Sequence, residues 1–472
     1  MSIKQAYEQS GQSALFEHWD DLSDAQKASF EENLQETAMK NDPSQLVEDC
    51  KRAIELSLEN SNGNDSIEPL PHTSYGSILG KAELENEYRD VGLQELAQGS
   101  VAVILMAGGQ GTRLGSSQPK GCYDIGLPSN RSLFQIQAEK LLRLQAIANC
   151  PRPIPWYIMT SEPTRQPTEQ FFQENNYFGL SATQVTFFNQ GTLPAFDLKG
   201  EHLLLDSPTD LVKSPDGNGG LYRAIKDNGI LEDLVAKNIK HVHMYCVDNV
   251  LVKLADPVFI GFALKNKFEL ATKAVRKRDA SESVGLIASK NGSPCVVEYS
   301  EISKDMAEAT DEKGLLKFRA ANIVNHYYAV DLLKRELDNW CKSMPYHIAK
   351  KKIAFYDNKN KTYVKPTEAN GIKLEQFIFD VFPNVPITKF GCLEVDRASE
   401  FSPLKNAPGT ANDNPGTSRA AYLNLGTSWL VSAGAKIGSG VHVEIPGTVS
   451  YGGEALEKYN GEVFDKDLAI LP

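Results

Sequence analysis

The stretch VAVILMAGGQGTRLGSSQPKG at residues 101–121 joins a continuous apolar run to a loop rich in glycine and serine. Residues 101–107 are apolar throughout and contain Val and Ile, which is typical of a strand that is buried on both faces of a parallel sheet. A glycine loop after such a strand lets backbone N–H groups approach an anion closely. The stretch therefore predicts a buried strand that ends in a phosphate-binding loop.

Two common phosphate loops do not fit this stretch. A Walker loop needs GxxxxGK[ST], but here a proline precedes Lys120 and a glycine follows it. The dinucleotide fingerprint needs a third glycine where this chain has Leu114, and it needs a helix that begins at once. The loop instead continues until Ser132 and Gln135 give a helix-capping signal. The loop must therefore belong to another class of phosphate-binding site.

Further along the chain, strand-like runs alternate with helical stretches. The strand-like runs are IPWYIM, QVTFF, HVHMYCV and FELATKAV, and stretches such as TEQFFQENN and YRAIKDNGILEDLVA lie between several of them. This alternation predicts an α/β fold with a central, Rossmann-like, mostly parallel sheet and helices on both faces. Asn291 and Gly292 separate two short strand runs and predict a β-hairpin within this region.

The two ends of the chain differ from this central pattern. The first 60 or so residues have a helical pattern, with a capping box at Ser23 and Gln26, and the polar stretch ENSNGNDSIEPLPH follows them. Beyond residue 400 the chain is rich in loop residues, and AAYLNLGTSWLVSAGAKIGSGVHVEIPGTVSYGG is predicted as short β segments separated by glycines. We predict a helical N-terminal domain over residues 1–95, a catalytic domain over 96–400 and a small β-rich C-terminal domain over 401–472.

Composition limits the class of protein. The chain has 472 residues, which is enough for two or three domains. Its net charge of −12 argues against a nucleic-acid partner, and no run of about 18 apolar residues predicts a membrane span. The polar, acidic N-terminus does not resemble a secretory or transit segment, and seven cysteines without a CxxC pair predict reduced thiols. We expect a cytoplasmic protein.

The motif GGxGTRL followed by PKG resembles the signature of the sugar-1-phosphate pyrophosphorylases, which make nucleotide sugars. Other blocks resemble the eukaryotic UDP-N-acetylglucosamine pyrophosphorylases of the UDP-sugar pyrophosphorylase family, in that family's order: LPSNRSLFQIQAEKL, QVTFFNQGTLPAF, SPDGNGGLYRAI, VDNVLVKLADP, VVEYSEIS, NIVNHYY, NGIKLEQFIFDVFP and FSPLKNA. The resemblance implies a nucleotidyltransferase that converts UTP and N-acetylglucosamine 1-phosphate into UDP-N-acetylglucosamine and pyrophosphate. It also implies Mg²⁺, or Mn²⁺, as the cofactor.

Two highly anionic reactants require cations and aligned donors more than a nucleophile. Arg113 can bind the β- and γ-phosphates through its planar fork, and Lys120 offers a point charge near the α-phosphate. Pro119 fixes the backbone before the lysine. The resemblance adds Lys405, which it places at the sugar phosphate. We predict Arg113, Lys120 and Lys405 as catalytic residues, with the alternative that the two loop cations are ordinary surface charges.

The backbone of the loop is the second predicted phosphate contact. Glycines permit the close approach of phosphate or base, and a tight turn without a ligand is the alternative. Asp248 follows the run HVHMYCV, and the carboxyl end of a strand in an open α/β sheet faces the ligand crevice. One carboxylate there suits Mg²⁺, although a turn aspartate is the alternative, and the resemblance makes Asp248 the metal ligand. The predicted substrate-binding residues of the loop are Gly108, Gly109, Gly111, Thr112 and Pro119.

The remaining roles come from the resemblance. It places Gln190 and Gly217 at the uracil base, because an amide side chain and nearby backbone can form hydrogen bonds with the edge of that ring. It places Asn218 near the sugar. The predicted sugar pocket contains Glu298, Asn322, Lys373, Phe377 and Phe379. The alternatives are an exposed strand carboxylate for Glu298, a turn at a strand end for Asn322 and a solvated lysine for Lys373. At least one of the two phenylalanines is expected in the core, because positions i and i+2 diverge on a helix.

Two alternative functions stay open at the level of sequence. The sugar could be glucose or N-acetylgalactosamine, because one added group changes affinity by only a few kcal/mol. A regulator that binds nucleotide sugars without catalysis could also keep this fold. The presence of Arg113, Lys120 and Asp248 favours an enzyme over such a regulator. The sequence leaves the oligomeric state open.

Overall fold

The computed structural model describes residues 1–59 and 66–471. The described chain groups into two compact units. The smaller unit contains residues 1–59, 190–223 and 339–381, and the larger unit contains residues 66–189, 224–338 and 382–471. The proposed sequence boundaries after residues 95 and 400 stay predictions. The predicted polar break includes residues 60–65, which lie outside the described residues.

The larger unit is built on an eleven-stranded, mostly parallel sheet. Along the main path the strands are, in spatial order, Tyr75–Ser77, Phe390–Val395, Leu270–Arg276, Ala320–Ala329, His241–Cys246, Val101–Met106, Trp156–Thr160 and Val185–Asn189. Neighbours pair in parallel except at Ala320–Ala329, which runs antiparallel to both of its neighbours. The strand-like runs predicted from the sequence are confirmed as members of this sheet.

Both faces of the sheet are covered. Every residue of Val101–Met106 and of Trp156–Thr160 is buried, which requires packing above and below the strands. Ser132 caps the helix after the glycine-rich stretch by accepting the Gln135 N–H at 3.2 Å, whereas the Gln135 side chain donates to Glu139 at 3.0 Å, so only half of a capping box between Ser132 and Gln135 forms. The α-helices that lie wholly in this unit are Ala82–Ala97, Leu133–Ile147, Glu162–Glu174, Ile230–Ala236, Pro257–Lys265, Lys304–Glu308, Arg397–Glu400 and Pro415–Ser432.

The predicted hairpin is confirmed. Strands Leu286–Lys290 and Ser293–Val297 pair antiparallel. Between them Asn291 and Gly292 have φ values of 52° and 83°, the left-handed pair that a two-residue turn requires. The hairpin strand Leu286–Lys290 also pairs with Ala320–Ala329 at one end and with the strand Ile67–Glu68 at the other.

The C-terminal segment contains a helix that the sequence interpretation missed. Residues 415–432, which include AAYLNLGTSWLV, form one helix and not short strands. Its buried residues include Ser418, Tyr422, Gly426 and Leu430, four positions apart, which is a helical period. Gly426, which the sequence pattern predicts as a boundary between strands, lies within this helix. The strands that follow form two short parallel pairs, Lys436–Ile437 with Val463–Phe464 and Val443–Glu444 with Ala469–Ile470.

The smaller unit combines the N-terminal helices with short strands. The helices are Ile3–Gln9, Asp24–Lys40 and Pro43–Glu59, and the Ser23–Gln26 capping box is confirmed. Apolar residues of the helices, such as Phe30 and Leu34, share a core with Phe196, Ile372 and Leu374 from the strands. The strands form three small sheets: Thr192–Pro194 with Lys213–Pro215; Phe196–Asp197, Gly371–Glu375 and His347–Lys351; and Leu205–Ser207, Asp210–Leu211, Phe355–Asp357 and Thr362–Val364. Two further helices, Leu221–Asp227 and Val330–Ser343, each contain residues of both units.

Within the described ranges, no helix has the length and apolar character needed to cross a membrane.

Two helices of the larger unit touch through glycine. A methyl group on Gly261 would lie 1.8 Å from the Tyr88 carbonyl oxygen, and one on Gly92 would lie 1.9 Å from the Pro257 carbonyl oxygen. Backbone atoms on a packed helix cannot move aside as a flexible side chain can. Glycine at these positions is therefore a packing requirement of the pair Ala82–Ala97 and Pro257–Lys265.

We expect Gly261→Ala to lower the free energy of unfolding by about 1–3 kcal/mol, because the added methyl group forces the two helices apart. Urea denaturation followed by circular dichroism measures the change. Gly452→Ala is the matched control, since no described atom lies within 4 Å of its added methyl group. Equal stability of the two variants would contradict the close helix contact.

Candidate active site

Residues 107–121, called here the glycine loop, fold back on themselves. The Gly111 N–H donates to the Gln118 carbonyl at 3.0 Å. The Lys120 N–H donates to the Gly109 carbonyl at 3.1 Å. These bonds close the loop without a helix directly after it, which is why the fingerprints of the Walker and dinucleotide loops do not fit.

Two glycines of the loop differ in what their surroundings require. A methyl group on Gly111 would lie 3.1 Å from the Ser116 Cβ and 3.3 Å from the Gln118 carbonyl oxygen, so the turn itself favours glycine. Gly109 is exposed, and no atom of the described residues lies within 4 Å of a methyl group placed on it. The described fold gives Gly109 no steric reason to be glycine. The close approach of a ligand to its backbone would give one.

The other predicted loop residues occupy distinct positions. The half-buried Gly108 has its carbonyl held by the Ser161 hydroxyl at 2.7 Å. Pro119 is buried, with φ at −52°, directly before Lys120. Thr112 is exposed. The loop thus has a fixed base and an exposed tip.

Arg113 is the exposed cation at the tip of the loop. Its guanidinium has no ion-pair or hydrogen-bond partner among the residues that the structure describes. A planar, unpaired guanidinium is suited to binding two oxygens of one phosphate group.

Lys120, Asp248 and Lys405 converge on Leu404. The Lys120 Nζ donates to the Leu404 carbonyl at 3.2 Å. The Leu404 N–H donates to the Asp248 carbonyl at 2.9 Å. Lys405 is the next residue, and its N–H donates to the Asp413 carbonyl at 2.7 Å. Three predicted site residues from distant parts of the sequence therefore lie at one edge of the sheet.

The Cys246 thiol, at the end of the strand His241–Cys246, reports the electrostatics of this edge. Burial is the main cause that raises its pKa, and the Asp248 carboxylate raises the pKa further. The positive charges of Lys405 and Lys120 act in the opposite direction. One carboxylate and two ammonium groups therefore lie near Cys246, at the carboxyl end of the strand.

The Asp248 carboxylate fits a divalent cation. It is half-buried, and its oxygens form no hydrogen bond or ion pair within the described ranges 1–59 and 66–471. Mg²⁺ binds through one or two carboxylates together with water and phosphate oxygens. The neighbouring cations Lys120 and Lys405 mark the same edge as a place for phosphate.

Glu298 and Asn322 lie together beside Gly285. The Asn322 N–H donates to the Gly285 carbonyl at 2.9 Å. The Glu298 Oε1 lies 3.4 Å from the position of a methyl group on Gly285. Glu298 is exposed, directly after the hairpin strand Ser293–Val297, and Asn322 is half-buried. Asn322 lies near the start of the antiparallel strand Ala320–Ala329, and hence at the carboxyl edge of the parallel strands.

Gln190, Gly217 and Asn218 belong to the smaller unit, where Gln190 is half-buried. Gly217 has φ at +86°, and a methyl group on it would lie 2.4 Å from the Gln376 carbonyl oxygen. The Asn218 Oδ1 accepts the Ile378 N–H at 2.9 Å. The structure therefore places the predicted base-binding loop directly against the segment that carries the predicted phenylalanines.

Phe377 and Phe379 lie on one face, with ring centroids 5.2 Å apart and planes at 25°. Both are half-buried, and Ile378 between them is fully buried. The expectation that one phenylalanine belongs to the core is wrong, because both rings are half-buried: Phe377 lies before the 3-10 helix that begins at Ile378, so the two residues do not share one regular helix. Lys373 lies in the strand Gly371–Glu375 and is half-buried too.

Sequence reasoning missed His347 and Asp380. The His347 ring stacks on Phe377 with a centroid distance of 4.4 Å. Its Nε2 lies 3.0 Å from each Asp380 carboxylate oxygen, and one of these oxygens accepts the Phe377 N–H at 2.8 Å. His347 is brought there by the pairing of His347–Lys351 with Gly371–Glu375, for which no local sequence signal exists.

Comparison with known proteins agrees with this arrangement. Residues 49–410 match the model of the UTP–glucose-1-phosphate uridylyltransferase family, and this range includes every predicted site residue. The chain belongs to this family.

Similar proteins within this family are named for a narrower group of substrates than the family model is. The chain is 64% identical over 471 residues to the UDP-N-acetylglucosamine pyrophosphorylase of Saccharomyces cerevisiae, covering 99% of both chains. It is 43% identical to a UDP-N-acetylhexosamine pyrophosphorylase-like protein of Xenopus tropicalis, covering 100% of this chain and 95% of that protein. A solved structure of the Trypanosoma brucei UDP-N-acetylglucosamine pyrophosphorylase, in complex with an inhibitor, has a TM-score of 0.83 at 29% identity. That match covers 97% of this chain and 95% of the other.

For this uridylyltransferase-family chain we expect Gly217→Ala to raise the KM for UTP about tenfold, because the added methyl group must displace Gln376 or distort the loop. Initial rates at varied UTP measure the effect, with circular dichroism as the test of folding. Gly229→Ala is the control, since Gly229 also has positive φ but only one described atom, at 3.9 Å, near its added methyl group. A folded Gly217→Ala variant with unchanged KM would contradict a role of this loop in binding UTP.

Proposed function

We propose that this enzyme converts UTP and N-acetylglucosamine 1-phosphate into UDP-N-acetylglucosamine and pyrophosphate. The observation that carries the proposal is the convergence of Lys120, Asp248 and Lys405 at the carboxyl edge of the sheet, beside the exposed backbone of Gly109. Family membership and the identity of 64% to the yeast pyrophosphorylase support the same reaction.

The reaction is a direct displacement at phosphorus. An oxygen of the sugar phosphate attacks the α-phosphorus of UTP, the new O–P bond forms in line with the bond that breaks, and pyrophosphate leaves. The required help is positioning and charge stabilisation, and no covalent intermediate is needed. The cluster of cations and backbone donors is suited to that task.

The three cations have separate proposed roles. Arg113 binds the β- and γ-phosphates that become pyrophosphate, since its guanidinium is exposed and unpaired among the described residues. Lys120 stabilises charge at the α-phosphate, and its tie to the Leu404 carbonyl holds it at the sheet edge. Lys405 binds the sugar phosphate. The backbone of the glycine loop, including Gly108, Gly109, Gly111 and Thr112, supplies further contacts.

Asp248 is the proposed ligand of Mg²⁺, or of Mn²⁺. Bound there, the ion would supply positive charge to phosphate oxygens and polarise the reacting phosphorus centre. The protein holds one unpaired carboxylate near Lys120 and Lys405. The carboxylate would bind the metal ion, and the two lysines would bind phosphate oxygens.

The remaining assignments concern recognition. Gln190 and the backbone of Gly217 bind the uracil, and Asn218 lies near the sugar. Glu298 accepts hydrogen bonds from sugar hydroxyl groups, and the Asn322 amide bonds to the sugar as donor or acceptor. Phe377 and Phe379, beside Lys373, face the N-acetyl group. The stacked, half-buried pair of rings supports this last role, because half-exposed aromatic faces suit a methyl group.

We propose a cytoplasmic location and small-molecule partners, without nucleic acid or membrane. The excess of 12 negative charges opposes binding to a phosphate backbone. The thiols that form no disulfide suit a reducing compartment, and they include Cys50, Cys122, Cys150, Cys246 and Cys392.

We expect UTP with N-acetylglucosamine 1-phosphate to give the highest kcat/KM in a panel that also contains glucose 1-phosphate and N-acetylgalactosamine 1-phosphate. The difference from glucose 1-phosphate should be about tenfold or more, since it reflects the packing of one acetamido group. Release of pyrophosphate measures the rates. Preference for glucose 1-phosphate would replace the proposed sugar, and no turnover of any member would contradict the proposed reaction.

We expect Asp248→Asn to lower kcat about a hundredfold or more, because one charged contact to the transition state is lost while the size is kept. The concentration of Mg²⁺ for half-maximal rate should rise in parallel. Equilibrium dialysis of Mn²⁺ with the protein and UTP gives a readout that is independent of turnover. A variant with the rate and Mn²⁺ binding of the original protein would contradict the assignment of the metal to Asp248.

A further inference from the structure

The buried side chain of Asn249 connects the two segments that carry Asp248 and Lys405. Its Nδ2 donates to the Glu400 carbonyl at 2.7 Å. Its Oδ1 accepts the Ser402 N–H at 3.0 Å and the Leu251 N–H at 3.2 Å. The amide thus bonds to backbone on both sides and has no contact with the predicted phosphate cations.

The backbone continues this connection towards the proposed site. Asn249 forms an isolated antiparallel bridge with Pro403, and the Val250 N–H donates to the Ser402 carbonyl at 3.3 Å. The Leu404 N–H then reaches the Asp248 carbonyl at 2.9 Å. Residues 248–250 and 402–404 therefore run beside one another as a short two-stranded ladder. Lys405 follows directly at its end.

Both sides of this ladder are anchored to buried charges. Lys273, with no exposed surface, binds the carboxylates of Asp256, at 2.6 Å, and of Glu400. The Lys253 Nζ lies 3.4 Å from the other Glu400 oxygen. An ion pair in the interior holds its partners firmly only where further groups satisfy it, as two lysines and two acids do here. Glu400 is therefore a fixed point to which Asn249 can hold its own loop.

The opposite side of the ladder has its own anchor. The Lys140 Nζ donates to the carbonyls of Val250 and Val252 at 3.2 and 2.9 Å. Lys140 lies in the helix Leu133–Ile147, which packs against the sheet. Lys140 thus ties the loop after the strand His241–Cys246 to this helix, and the Asn249 amide adds side-chain hydrogen bonds to the backbone ladder that joins the loop to residues 400–404.

We infer that Asn249 is a positioning residue, which fixes the Asp248 carboxylate and the Lys405 ammonium relative to one another through the backbone of residues 400–405. The inference rests on the proposed roles of Asp248 and Lys405. A misplacement of about 1 Å at a reacting centre can lower the rate a hundredfold, so that a residue without substrate contact can control turnover.

Hydrogen exchange of the metal-free protein tests the connection itself. In Asn249→Ala we expect the peptide that covers residues 400–406 to exchange about tenfold faster, because the ladder opens locally when both of its side-chain ties are lost. Asn249→Asp keeps the size and the two acceptor bonds but faces the Glu400 carbonyl with an oxygen. It should show the same change to a smaller extent, and it serves if the alanine variant does not fold.

Gln184→Ala is the matched control. Gln184 is also a buried amide of the larger unit, and its Nε2 donates to the Ile154 carbonyl at 2.8 Å, before the strand Val185–Asn189 begins and hence at the opposite edge of the sheet. We expect this variant to lose thermal stability without faster exchange of residues 400–406. Unchanged exchange of this peptide in both Asn249 variants, or equally fast exchange in Gln184→Ala, would overturn the inference.

Kinetics separates positioning from substrate binding. We expect Asn249→Ala to lower kcat at least about tenfold and to raise the Mg²⁺ concentration for half-maximal rate, while the KM for UTP changes less than twofold. A rise confined to the KM for UTP would overturn the inference. If Asp248→Asn leaves metal dependence intact, the proposed metal site fails, whereas the exchange measurement on metal-free protein still decides the role of Asn249.

Discussion

The parallel pairing of Val101–Met106 with His241–Cys246 is the constraint on which the site depends. The two strands pair residue for residue, from Val101 with His241 to Met106 with Cys246. Because parallel strands in register end at the same edge, the glycine loop and the loop of Asp248 emerge side by side. The Val247 N–H extends the ladder to the Met106 carbonyl at 3.2 Å, which keeps the two loops together beyond the last strand residue.

This edge combines rigid support with unpaired chemistry. Beneath it the strands are fully buried, and the lysines and acids of the interior are bonded to one another or to carbonyls. At the edge, by contrast, the Asp248 carboxylate and the Arg113 guanidinium have no partner among the described residues. Unpaired charges on a rigid frame are typical of a binding site for a charged ligand, because the bound ligand supplies the opposite charge that the protein does not.

The proposed recognition residues of the smaller unit depend on contacts of a different kind. Here Phe377 lies between the strand Gly371–Glu375 and the 3-10 helix Ile378–Asn384, which contains Phe379, and the two rings stack on one another. Gly217 permits close contact with the backbone of Gln376, so that the predicted base-binding loop lies against the segment that carries Phe377. The His347 ring stacks on Phe377, and the Asp380 carboxylate accepts the Phe377 N–H. The contacts of Gly217 with Gln376 and of His347 with Phe377 join segments that are far apart in the chain, so no short stretch of sequence predicts them.

The sequence by itself determined five strands of the sheet, the hairpin at Asn291 and Gly292, the glycine loop and the family. These follow from local signals, since burial on two faces, turn geometry and phosphate approach each demand particular residues at neighbouring positions. Only the tertiary structure decided that Lys120, Asp248 and Lys405 converge on Leu404, that residues 415–432 are a helix, and that neither phenylalanine is in the core. The physical reason is that these outcomes depend on pairing and packing between segments far apart in the chain, and the residues that fix them, such as Asn249 and His347, form no local pattern.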